Sequence, residues 1–152
     1  MSKFAVWRKI NMLMKNEMNV LMLLLPKVTV DYLFSDFTVR QSLEKMDAHG
    51  YNEIPVIDRQ SGVYVRSVAY GDFLRYILKN RVNFDDLERI PLSSITSARQ
   101  IQPVPSTTNV ADLKDVILSQ NFIPVVDDHG IFIGIVTRKS ILKHLFKEER
   151  IG

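Results

Sequence analysis

The stretch NEIPVIDRQSGVYVRSVAYGDFLRYIL, residues 52–78, is written a second time, with changes, as NFIPVVDDHGIFIGIVTRKSILKHLF, residues 121–146. Ile54, Pro55, Val56, Ile57, Asp58 and Gly62 recur as Ile123, Pro124, Val125, Val126, Asp127 and Gly130, with one residue deleted before the glycine. An internal repeat of this length decides the architecture before any single residue does. IPVID and IPVVD are short β-branched runs closed by polar residues and glycine, so each reads as a strand entering a turn. Residues 63–69 and 131–137 then read as the returning strands of two hairpins. Phe73, Ile77 and Leu78, and in the second copy Ile141, Leu142 and Leu145, mark a closing helix with one apolar face.

Upstream of each hairpin the period changes from two to that of a helix. Val39, Leu43 and Met46 fall at i, i+4 and i+7 with Thr38 placed as N-cap, and Val110, Leu113, Val116 and Ile117 repeat the pattern in the second copy. That copy is two residues shorter before its strand. A leading strand is expected before each helix, over residues 101–104, where the residue before a proline is pushed toward extended backbone, and over their counterpart in the first copy, residues 28–34. Between the copies lie Pro91, Pro103, Pro105 and the polar run Ser93, Ser94, Thr96, Ser97, which read as a linker. The expected division is residues 1–26 as an N-terminal helical extension, 27–80 as the first repeat, 81–98 as linker and 99–150 as the second repeat.

The chain has 152 residues, 46% of them hydrophobic and 24% charged, with 6 Gly and 6 Pro, which is the profile of a globular domain with its own core. No cysteine is present, which excludes disulfides, thiolate metal sites and cysteine nucleophiles and accords with an expected cytoplasmic location. The net charge is +3, but Lys and Arg are scattered rather than clustered, so nucleic acid is not an expected partner. The most apolar run, MNVLMLLL at residues 18–25, is too short to span a bilayer and stops at Pro26, so no membrane association is expected. Met12, Met14 and Met18 are alternative starts, which leaves residues 1–17 as a segment that can lie outside the folded unit.

In its order of elements the chain resembles a tandem pair of CBS repeats: leading strand, helix, h-P-h-h-D, turn, then G-h-h-[ST]-x-x-D opening the last helix. The second copy supplies Gly134, Ile135, Val136, Thr137, Arg138, Lys139 and Ser140; the first supplies Arg66, Ser67, Val68, Ala69, Tyr70, Gly71 and Asp72. The resemblance implies an α/β (α+β) fold of two repeats, each a small sheet with flanking helices, packed with pseudo-twofold symmetry. It also implies two clefts, each made by the leading strand and h-P-h segment of one copy with the [ST]-x-x-D segment of the other. An adenine would lie against strand backbone, the aspartate would take the ribose hydroxyls, and Ser or Thr with nearby cations would take phosphate. A strand-to-helix junction suits that task, since its free N–H groups and positive dipole end favour an anion.

By that rule one cleft comprises Thr29, Asp31, Asn52, Glu53, Ile54 and Pro55 with Thr137, Arg138, Lys139 and Ser140. It is rich in phosphate ligands and has Ser140 where the ribose aspartate belongs. The other comprises Gln102, Val104, Phe122 and Ile123 with Gly71 and Asp72; it keeps the carboxylate but has Ala69 in place of the hydroxyl. A carboxylate grips a nucleotide through a free cis-diol, whereas a 3′,5′-cyclic dinucleotide has one of those oxygens esterified. Ser140 beside Arg138 and Lys139 therefore suits a phosphodiester better than AMP, and the chain is similar in this stretch to the c-di-AMP-binding CBS-pair proteins of Gram-positive bacteria. Asp31 and Glu53 depart from that pattern by placing negative charge near the ligand. The bland alternatives are that Arg138 and Lys139 are a solvated helix start and that Asp72 only serves its own helix.

No nucleophile with a base is legible, and His49, His129 and His144 read as a helix end, a turn and a helix surface without metal spacing. Asp85, Asp86 and Glu88 read as a solvated turn, and no P-loop is present. The expected function is accordingly non-enzymatic: a regulatory module, without cofactor or metal, that binds an adenine nucleotide or cyclic dinucleotide, forms a homodimer and signals in trans to an unidentified protein partner. The alternative is a ligand-free CBS pair serving dimerisation or docking.

Overall fold

The structure, a computed structural model, describes residues 2–15 and 18–143. It is a mixed α+β chain that divides into two compact units, one of residues 31–102 and the other of residues 1–30 with 103–152. Each unit therefore combines one repeat with the segment that precedes the other repeat.

In the first repeat the helix α2 (Val39–His49) begins at Thr38, whose hydroxyl accepts from the Gln41 N–H while the Gln41 side chain accepts from the Thr38 N–H, a reciprocal capping box. It ends at Gly50, held at φ +68°, the left-handed conformation that glycine adopts without a Cβ penalty. Strands β2 (Leu33–Phe34), β3 (Glu53–Ile57) and β4 (Tyr64–Ala69) form a sheet in that order, β2–β3 parallel and β3–β4 antiparallel. Helix α3 (Tyr70–Asn80) follows β4 without a gap. The second unit repeats the plan with β5 (Val104–Pro105), α4 (Lys114–Ser119), β6 (Phe122–Val126) and β7 (Phe132–Thr137); β5–β6 is parallel and β6–β7 antiparallel. Both hairpins carry a register shift at the same place, between Val56 and Ile57 and between Val125 and Val126. Residues 138–143 continue as helix, α5. Buried Ile54, Val56, Val68 and Phe73 anchor one core, and Ile123, Val125, Val136 and Ile141 the other.

The N-terminal helix α1 (Lys3–Lys15) packs on the start of the second repeat. Residues 18–26 then behave as the counterpart of residues 90–98. The Val20 N–H donates to Thr108 O (2.9 Å) and the Val110 N–H to Met18 O (2.7 Å); in the other unit the Leu92 N–H donates to Phe37 O and the Val39 N–H to Ile90 O, both at 2.8 Å. Each repeat's first helix is thus started by two backbone bonds to a 3-10 segment belonging upstream of the other repeat. Val20 and Leu23 there, and Leu92 and Ile95 here, are the apolar pairs that this arrangement buries. The linker is therefore not bare chain. It also forms a 3-10 turn at Phe84–Arg89, with Leu87 in the core.

Several expectations are revised. The leading strands are two residues long each, Leu33–Phe34 and Val104–Pro105, rather than 28–34 and 101–104. Lys27–Thr29 instead closes a 3-10 turn in which the Thr29 hydroxyl donates to Pro26 O at 2.8 Å, a local bond that competes with the ladder. The shorter second copy starts its helix as a 3-10 turn, Val110–Leu113, before α4. Leu78 is 68% exposed and Leu142 38% exposed, so α3 faces its core with Phe73, Tyr76 and Ile77; Leu145 and His144 lie outside the described residues.

The two sheets differ at one edge. In the second unit β1 (Leu25–Pro26) adds to β7 as a fourth strand, pairing Leu25 with Ile135 and Pro26 with Gly134. A Cβ on Gly134 would collide with the Leu25 carbonyl oxygen and the Leu24 side chain, and its φ of +155° is strained for an L residue. The first copy has Arg66 at this position, and its guanidinium does by side chain what β1 does by backbone: it donates to Leu92 O at 2.9 Å, to Ile95 O, and to the Ser97 hydroxyl at 2.9 Å. We expect Gly134→Ala to destabilise the chain by at least ~2 kcal/mol, read as a lower urea midpoint, because neither the clash nor the φ can relax without separating β1 from β7.

Candidate functional site

The hairpin registers place the same features together in each unit. Glu53 stands opposite Ala69 and the Tyr70 N–H donates to Asn52 O at 3.0 Å, so Asn52, Glu53 and Ile54 border the junction carrying Gly71 and Asp72. Phe122 stands opposite Thr137 and the Arg138 N–H donates to Asn121 O at 3.2 Å, so Phe122 and Ile123 border the junction carrying Thr137, Arg138, Lys139 and Ser140. The side chains of Ile54, Pro55, Phe122 and Ile123 are buried, and those of Ile54 and Ile123 belong to the cores, so these two offer a ligand backbone groups rather than side chains. Val104 pairs with Val125 in the second unit's sheet, while Gln102 is exposed in the first unit. Thr29 is exposed in the 3-10 turn that packs along β7.

The two junctions commit their polar groups differently. Asp72 is buried, 5% exposed, and its carboxylate is occupied: Oδ2 accepts from the Ala69 N–H at 2.8 Å, and Oδ1 from the Ala98 N–H at 3.0 Å and from Arg75 Nη2. It caps α3, where a carboxylate at the third position suits the helix dipole, and ties the linker to that end. Gly71 is exposed and a Cβ there would make only ordinary contact with Arg75, so no close approach demands a glycine. At the second junction the Thr137 hydroxyl accepts from the Ser140 N–H at 2.9 Å and shares a 2.7 Å hydrogen bond with the Ser140 hydroxyl. Arg138 turns back: its Nε and Nη2 donate to Ile117 O at 3.3 and 3.0 Å, and Nη2 also reaches Leu118 O and Gln120 O, the carbonyls ending α4. A cation at a helix C-terminus satisfies orphan carbonyls and the dipole together. Lys139 is exposed and, among the described residues, forms no ion pair.

Asp31 Oδ2 lies 3.3 Å from His49 Nδ1, and burial, with the Asp31 charge and hydrogen bond adding to it, raises the Tyr51 hydroxyl above its ordinary value. Burial pushes the half-buried Glu53 carboxyl up, opposed by the Arg99 charge and assisted by Asp72. Elsewhere, His129 Nδ1 lies 3.0 Å from Asp128 Oδ1, and Asp127, Asp128 and His129 bring ligand atoms within 4.8 Å of one another, closer to metal spacing than the sequence suggests. Asp127 Oδ1, however, accepts from the His129 and Ile131 N–H groups as a turn former. The acidic run after Asn83 is a 3-10 turn in which Glu88 pairs with Arg40.

Comparison with known proteins supplies the family context. Residues 92–147 match the family model described as the CBS domain. No curated protein matches the chain. Among solved structures, it is similar to CbpB in complex with c-di-AMP (TM-score 0.79, 21% identity, 94% of this chain and 97% of that one). It is also similar to a CBS domain-containing protein of unknown function from Bacillus anthracis (0.73, 26%, 86% and 94%). A third is the CBS domain of a bacterial CNNM/CorC family Mg2+ transporter in complex with ATP (0.71, 21%, 91% and 93%). No helix among the described residues is long and apolar enough to cross a membrane.

The raised Glu53 carboxyl has a consequence for stability with a fixed sign. The folded chain holds this proton to higher pH than the unfolded chain does, so the group favours folding at acidic pH and opposes it as pH rises through the folded value. Glu53→Gln is therefore expected to raise stability at neutral pH and to leave it unchanged below the ordinary carboxylate range, as measured by urea unfolding at both pH values.

Proposed function

We propose, for a chain that carries a CBS domain over residues 92–147 within the tandem CBS fold, that it is a non-enzymatic regulatory module binding an adenine nucleotide at the Thr137–Ser140 junction, with c-di-AMP the preferred ligand. The observation that carries this reading is the unequal commitment of the two junctions. Asp72 spends both carboxylate oxygens on Ala69, Ala98 and Arg75, which leaves no free carboxylate there for a cis-diol. The other junction has no carboxylate at the corresponding place but offers two hydroxyls, Thr137 and Ser140, beside exposed Lys139. Such a set accepts a phosphodiester and gives no advantage to a free ribose, which favours the cyclic dinucleotide over AMP. A Thr137 hydroxyl already bonded to Ser140 is preorganised, and Lys139 adds a charge-assisted bond to phosphate.

The binding of c-di-AMP by CbpB and of ATP by the transporter's CBS domain supports the ligand class. Calorimetric titration with c-di-AMP, AMP, ATP and S-adenosylmethionine distinguishes the possibilities. We expect c-di-AMP to bind most tightly and Lys139→Ala to weaken it about tenfold, the loss of one charge-assisted hydrogen bond. Tighter binding of AMP overturns the cyclic-dinucleotide reading, and binding of none of the four favours a ligand-free docking module.

Signalling to a separate protein from a homodimer completes the proposal. Leu74 and Leu78, 56% and 68% exposed and one turn apart on α3, are the apolar pair that a second copy would cover. The double variant Leu74→Asp with Leu78→Asp is expected to be a monomer by light scattering, where the unaltered chain has twice that mass.

A further inference from the structure

Helix α1 is apolar on two sides. Val6 and Ile10, one turn apart, share the side turned to the protein: both are partly buried, and Ile10 packs against the second unit's core. Phe4, Trp7 and Arg8, at i, i+3 and i+4, share another side. There Phe4 is 73% and Trp7 47% exposed. A helix whose only task is to cover a core turns charged and polar residues outward. Single exposed apolar side chains are ordinary, whereas two large aromatics on one face make a patch that marks a contact surface.

The charge around this patch is of one sign. Helix α1 holds Lys3, Arg8, Lys9 and Lys15 and no acidic residue. Lys3 and Arg8 are exposed, and the Arg8 guanidinium lies 5.6 Å from the centre of the Phe4 ring, so cation and aromatic form one continuous surface. A second copy covers such a face poorly, because a twofold contact of the patch with itself brings like cations together with no carboxylate on the helix to separate them. A protein partner typically needs about 20–30 residues on each side, and one short helix face falls well below that, whereas a fluid lipid interface needs no matching shape. Aromatic rings among Lys and Arg complement anionic headgroups above an acyl boundary: the rings enter the interface and the cations meet phosphate. The apolar run at residues 18–25 is too short to cross a bilayer, but a helix lying along a surface needs no spanning length. We infer that the outward face of α1 is a docking surface for an anionic lipid bilayer, with Phe4 and Trp7 entering the interface and Lys3 and Arg8 binding headgroup phosphates. The inference goes beyond the nucleotide reading and uses none of the residues of the Thr137–Ser140 junction.

Trp7 is the single tryptophan of the chain, so its emission reports this face alone. The full chain is titrated with vesicles of mixed phosphatidylglycerol and phosphatidylcholine, and with vesicles of phosphatidylcholine alone, following Trp7 emission and co-sedimentation. A blue shift with co-sedimentation is expected for the first and neither for the second, with binding weakened as ionic strength rises. Phe4→Ser should weaken binding about tenfold, and Arg8→Gln about fivefold, the worth of one cation near an anionic surface. Both positions are exposed, so both variants should fold, which circular dichroism checks. Failure to bind the anionic vesicles, equal binding to both kinds, co-sedimentation without a blue shift, or an affinity unchanged in Phe4→Ser would each overturn the assignment. The same blue shift with soluble polyglutamate would overturn it in favour of an acidic protein, and a mass halved by Phe4→Ser in light scattering would overturn it in favour of a second copy.

Discussion

A slip of one residue between β6 and β7 would turn every side chain of β7 to the other face of the sheet, taking Val136 out of the core and Thr137 away from the helix it caps. The pairing of Phe122 with Thr137, and of Glu53 with Ala69, is the constraint on which each candidate site depends. It is held by the buried face of each hairpin and by a bulge repeated at the same position in both copies, a device that raises local twist and pins register. Given that register, the helix after each hairpin must begin one residue past the last ladder pair. The polar residues of its first turn then sit beside the backbone of the h-P-h strand.

Duplication made two such junctions and divergence has given them different work. Where the second copy has Gly134, a strand lies close against β7; where the first has Arg66, a guanidinium ties down the carbonyls of Leu92 and Ile95 instead. Where the second copy has Ser140, a hydroxyl pairs with Thr137; where the first has Asp72, a carboxylate is consumed in holding Ala98 and the start of α3. At both positions the first copy carries a side-chain tie to the linker, Arg66 to Leu92 O and Ile95 O and Asp72 to the Ala98 N–H. The first junction is accordingly tied to the linker, while the second bonds its hydroxyls locally and leaves Lys139 exposed.

Much of this was legible because the repeat is local and periodic. The alternation in IPVID and IPVVD, the Thr38 cap and the closing helices follow from residues adjacent in the chain. What the sequence concealed depends on partners distant in it. Val20 and Leu23, embedded in an apolar run, carry the same three-residue spacing as Leu92 and Ile95, yet that signal is faint until the two backbone clamps show that residues 18–26 and 90–98 do one job. The side chain of Arg138 reads as a phosphate cation from its place in the motif, while its use on α4 depends on carbonyls some twenty residues upstream. The commitment of Asp72 to Ala98 is equally invisible, being a bond across 26 residues to a linker whose composition suggests no structure.

The central claim is that the Thr137–Ser140 junction receives phosphate while the Asp72 junction is structural. Amide hydrogen exchange on the full chain, with and without saturating c-di-AMP, tests it most directly because it reads both junctions in one experiment. Slowed exchange at residues 137–140, with residues 69–72 unchanged, is the predicted result; protection at 69–72 alone, or at neither junction, would contradict it.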